Sequence, residues 1–68
     1  MTDMTLAKSV YNLGRVYAIL EKQAELTAEQ ALLLDELKSF RAKIVEIDYK
    51  LYGMFELGYE MQRGGRFK

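Results

Sequence analysis

The chain contains no cysteine, no histidine and no proline. Without cysteine there is neither a disulfide framework nor a thiolate zinc site, and thiols say nothing about compartment. Without histidine the commonest general base and metal ligand is missing. Without proline, and with no glycine between Gln30 and Tyr52, nothing of the usual kind breaks the middle of the chain. An excess of either charge is also lacking: ten basic residues balance ten acidic ones. That neutrality argues against a protein that grips nucleic acid alone, since backbone binding rests on a basic excess. It also removes the self-repulsion that keeps small proteins apart, so association stays open. No apolar run approaches the roughly 20 residues of a membrane span, and the N-terminus lacks a signal-peptide core, which points to a cytoplasmic protein.

What is present is helical patterning. Sixty-eight residues, half of them hydrophobic, make a single small domain near the size where one core is barely sufficient. Leu33, Leu37, Phe40, Ile44, Ile47, Leu51, Met54, Gly58 and Met61 recur at alternating spacings of four and three, an unbroken heptad seam. Beyond Leu51 the seam widens with Tyr52, Phe55, Leu57 and Tyr59. A shorter seam of the same period runs through Leu6, Val10, Leu13, Tyr17, Leu20 and Ala24, widened by Val16 and Ile19.

These patterns predict an all-α fold, an antiparallel helical hairpin whose long second helix packs into a bundle. The first helix is expected over about 4–25, with Thr2, Asp3 or Thr5 as its cap. A sharp turn follows at Leu26 and Thr27, where Thr27 and Gln30 form a capping box and Glu29 favours the helix start. The second helix is expected over about 28–62, stopped by Gly64 and Gly65, with 63–68 as a tail. Glu46 and Lys50 form an i,i+4 pair on its surface. Folding back at Thr27 sets Leu20 near Leu33, Tyr17 near Leu37, Leu13 near Phe40 and Leu6 near Ile47. Gly14 then faces Phe40 and leaves room for an aromatic ring.

Helix 1 runs out near Tyr49, so the end of helix 2 has no partner in the hairpin. Either helix 2 bends near Asp48 and returns as a third helix, or it stays straight and buries the overhang in another chain. The lack of a glycine or proline before Tyr52 favours the straight helix. Leu51, Tyr52, Met54, Phe55, Tyr59 and Met61 are then the protein interface.

Nothing suggests catalysis, a cofactor, a metal or a small-molecule substrate. Ser9 and Ser39 have no base arranged beside them. Glu21 with Glu25, and Glu56 with Glu60, are read as solvated acidic faces, because bundle metal sites add histidine. The glycines match no phosphate loop. Val45, Tyr52 and Tyr59 form a second stripe, read as packing surface, and basic residues gather at Lys38, Arg41 and Lys43 and again at Arg63, Arg66 and Lys68.

Two segments carry a resemblance. Tyr11-Asn12-Leu13-Gly14-Arg15-Val16-Tyr17-Ala18-Ile19-Leu20-Glu21-Lys22 resembles the "Y-x-LGR-L-F-A-x-LEK" helix near the C-terminus of the large subunit of type I-C CRISPR–Cas surveillance complexes (Cascade). Gly53-Met54-Phe55-Glu56-Leu57-Gly58-Tyr59-Glu60-Met61-Gln62-Arg63 resembles the "G-x-F-x-LGY-x-x-Q" helix that ends that subunit. The two occur in the family's order and cover about a third of the chain. The resemblance implies an all-helical, non-enzymatic module like the Cascade small subunit, docking on neighbouring subunits and touching nucleic-acid backbone. Arg15, Lys38, Arg41, Arg63 and Arg66 are then the candidate phosphate contacts. Two other readings stay open: a virus-encoded inhibitor that mimics this subunit, and a Rop-like homodimeric four-helix bundle that binds RNA.

Overall fold

A computed structural model describes residues 4–64. The fold is all-helical: α1 (Met4–Lys22), α2 (Ala28–Ile47) and α3 (Tyr49–Arg63). α1 and α3 run in the same sense, since Tyr11 lies against Gly58 while Lys22 reaches the end of α3 at Arg63. α2 returns between them in the chain.

α1 stops at Lys22, three residues before the expected end, where the Gln23 amide donates to the Leu20 carbonyl at 3.2 Å and tightens the last turn. Ala24 therefore leaves the predicted seam, while Leu26 turns in and packs on the core. Thr5 lies inside α1 rather than capping it, because the helix begins one residue earlier; Thr2 and Asp3 lie outside the described residues. The capping box at α2 is present. The Gln30 amide donates to Thr27 Oγ1, and the Thr27 amide donates to Gln30 Oε1, each at 3.0 Å.

The straight second helix is not what forms. Asp48, with φ −147° and ψ 97°, ends α2 and starts α3 as a one-residue hinge. Its amide still donates to the Ile44 carbonyl at 2.9 Å, and its Oδ1 accepts from the Lys50 and Leu51 amides at 3.1 and 3.2 Å. The broken turn is thus hydrogen-bonded from both sides, which keeps the cost of breaking it low. Against that small cost stands the burial of the overhang, where each large apolar side chain contributes roughly 1.5–3 kcal/mol. The expected Glu46–Lys50 pair is lost for the same reason, since the two residues now belong to different helices. Among the described residues the ion pairs are Arg41–Glu56 and Arg63–Glu60.

Folding α3 back puts Phe55 at the centre of the core, with no exposed surface. Its ring packs on Tyr17 of α1 and Phe40 of α2 at centroid distances of 5.7 and 5.8 Å, and Tyr17 also meets Tyr59 at 5.2 Å. One aromatic cluster thus joins all three helices. Val10, Leu20, Leu37 and Ile44 complete the buried core.

α1 and α3 meet backbone to backbone. A Cβ on Gly14 would overlap the Phe55 carbonyl oxygen, and one on Gly58 would overlap the Tyr11 carbonyl oxygen. Gly14 therefore makes room for the backbone of α3, not for a ring of α2 as the hairpin reading had it. Ala18, one turn beyond Gly14, is also buried and keeps this crossing tight.

Candidate interaction surfaces

The predicted phosphate contacts separate into two places. Lys38 and Arg41 line a cleft of about 320 Å³ with Tyr17, Ala42, Val45 and Tyr52. Arg41 and Arg63 both approach the Tyr59 ring, at 6.0 and 5.4 Å from its centroid. The fold thus brings Lys38, Arg41 and Arg63 to one side. Carboxylates are interleaved with them: Arg41 Nε donates to Glu56, Arg63 pairs with Glu60 at 3.9 Å, and the Tyr59 hydroxyl donates to Glu21. Glu56 holds the Arg41 guanidinium charged above its ordinary range, chiefly through that hydrogen bond. Tyr59 is pushed up to about 12, first by its bond to Glu21 and then by desolvation. Cations already bonded to acids have less to offer a phosphate chain. Arg15 sits elsewhere, donating to Gln62 Oε1 at 3.1 Å and Asn12 Oδ1 at 3.2 Å. Arg66 lies outside the described residues.

Of the predicted interface, Phe55 belongs to the core, because α3 folds back onto α1. Leu51, Tyr52, Met54 and Tyr59 are half-buried around it, and Met61 is exposed. Two apolar surfaces remain open.

The first is a groove of about 650 Å³ between the N-terminal halves of α1 and α3. Met4, Ala7, Tyr11, Arg15, Met54 and Leu57 are among its walls. Leu57 is 37% exposed, and Gly53, one turn before it, has open space where a side chain would be. A glycine in a helix interior costs roughly 0.5–1 kcal/mol relative to alanine, and nothing within the described fold uses this one.

The second surface lies along α1 and α2, where Leu6, Leu13, Leu33 and Ile47 occupy predicted seam positions yet stay exposed. Leu33 is 48% and Ile47 78% exposed. Beside them a shallow apolar groove of about 280 Å³ is lined by Leu6, Phe40, Ile44, Ile47 and Leu51, with Lys43 and Asp48 at its edge. The hairpin reading missed this surface. Each helix carries two parallel stripes, Leu6/Leu13 beside Val10/Tyr17 and Leu33/Phe40/Ile47 beside Leu37/Ile44, and one helix contact covers only one stripe of each.

No helix among the described residues is long and apolar enough to cross a membrane. In comparisons with protein families, curated proteins and solved structures, none matches this chain.

Proposed function

We propose that this chain is a non-enzymatic helical interaction module, similar to the small subunit of type I-C Cascade, that docks on protein through the groove between α1 and α3. One observation carries the reading. The two segments that resemble the Cascade large subunit lie in α1 and α3, and they interlock through Gly14 and Gly58, the glycines of their "LGR" and "LGY" motifs. The resemblance thus falls on one packed unit, and Tyr11, Asn12, Arg15, Met54 and Leu57 from those same segments line the groove. Exposed Gly53, one turn before Leu57 of that groove, leaves open space for a partner helix.

Docking is favoured over DNA contact because the candidate cations on the Tyr59 side are interleaved with Glu21, Glu56 and Glu60 in a chain of zero net charge. The test is to add the purified chain to type I-C Cascade assembled without its small subunit and to follow co-migration on gel filtration. Wild type is expected to bind and Leu57→Glu to lose binding while keeping its helicity. Restored DNA interference would identify a subunit, and blocked interference a mimic that occupies the same place. A chain that never co-migrates overturns the reading.

A further inference from the structure

We propose that the exposed face of α1 and α2 is covered by a second copy of this chain, with the two α2 helices antiparallel about a two-fold axis at Phe40. This goes beyond the docking reading and uses a different face, so either can fail alone.

Charge is what selects the partner. The first half of α2 carries Glu29, Asp35 and Glu36 and no base, while the second half carries Lys38, Arg41 and Lys43 against one acid, Glu46. Such a helix matches its own reverse and repels its own parallel copy. The helix dipole explains Glu29 in the first turn, but its influence fades before Asp35 and Glu36. Among the described residues neither Glu36 nor Lys43 has an ion pair, although both are exposed.

Shape then fixes the register. Leu33, Phe40 and Ile47 are seven apart, so Phe40 is central to its stripe. Setting the half-buried Phe40, whose ring also packs on Phe55, level with Phe40 of the second copy places Leu33 of each chain against Ile47 of the other. Leu33 then enters the shallow groove between Leu6, Phe40 and Ile47. In the same register Glu36, four residues before Phe40, and Lys43, three after it, come level across the interface to within one residue, roughly 1.5 Å of helix rise. Each pair occurs twice, as two-fold symmetry requires. The α1 side of the face is uncharged. Leu6, Ser9, Leu13 and Val16 lie along it, and Thr5 and the bases Lys8 and Arg15 line the other groove.

Sedimentation equilibrium of the full chain tests the proposal. Wild type is expected at twice 7.9 kDa at tens of micromolar. Lys43→Glu and Glu36→Lys should each raise the dimer dissociation constant about tenfold, since each creates two like-charge contacts, and the double swap should restore it. Added salt should weaken wild type and double swap and relieve the single variants. Leu33→Asp should give a helical monomer. A wild-type chain that stays monomeric to hundreds of micromolar overturns the proposal, as does a dimer that the charge swaps leave unchanged. The swaps are surface changes, so they decide the matter even if Leu33→Asp fails to fold.

Discussion

Gly14 lies so close to the Phe55 carbonyl that a methyl group between them would overlap the oxygen and come within 3.0 Å of the carbonyl carbon. Gly58 stands in the same relation to Tyr11. Two helices that touch backbone to backbone cannot accept a side chain without separating, and separation would loosen the aromatic cluster beside them. Gly14→Ala and Gly58→Ala should each destabilise by about 2 kcal/mol net, the overpacking exceeding the gain in helix propensity. Gly53→Ala is the internal control. Its Cβ meets nothing, so it should stabilise by about 0.5–1 kcal/mol. Urea melts of the three variants would separate packing from propensity, and three equal effects would contradict a backbone-to-backbone crossing at Gly14 and Gly58.

The hinge at Asp48 gives the next prediction. Its Oδ1 serves two amides of α3 and has no substitute in the chain nearby. Asp48→Ala should cost about 1 kcal/mol, comparable to Thr27→Ala at the start of α2. For a domain of this size that is a fall in Tm of about 4–8 °C, readable by circular dichroism. Asp48→Asn, which keeps the acceptor, should recover most of the loss.

The capping box at Thr27 was legible in the sequence because its signal is local, a threonine followed three residues later by glutamine. The heptad period likewise marked Val10, Tyr17, Leu37 and Ile44 as core. The bend at Asp48 was legible only as the less favoured of two readings. The apolar spacing runs through Ile47 and Leu51 without a change of phase, and the only mark of the hinge is one aspartate that also reads as helix surface. Tertiary burial decides there, and burial depends on α1, some thirty residues away. The partner of Gly14 was hidden by the same error, since a two-helix reading has no α3 to place against it. The face of Leu6, Leu13, Leu33 and Ile47 was visible as seam and misassigned as hairpin core.

Phe55 tests the bend against the straight helix directly. With no exposed surface and aromatic neighbours on α1 and α2, Phe55→Ala should cost about 3–5 kcal/mol. Phe55→Glu should unfold the chain, because the core offers no cation or solvent to the carboxylate. Far-ultraviolet circular dichroism reads the outcome. A Phe55→Glu chain that keeps full helicity would restore the straight helix.

Tyr59 supplies a prediction in pH. Its hydroxyl donates to Glu21, and that bond, with desolvation, lifts its titration from the ordinary 10 to about 12. A raised pKa on an acid means that folding favours the protonated phenol. The stability from this contact is therefore fully present below pH 10 and is lost as pH rises through 10 towards 12. Ultraviolet titration should show one of the five tyrosines ionising last. Tyr59→Phe should remove that late step and leave the others in place. Glu21→Gln keeps an acceptor oxygen but removes the charge that opposes ionisation, so it should shift the late step only part of the way back to 10. A late step that survives Tyr59→Phe would assign the contact to another tyrosine and remove Tyr59 as the link between α1 and α3 at this end of the bundle.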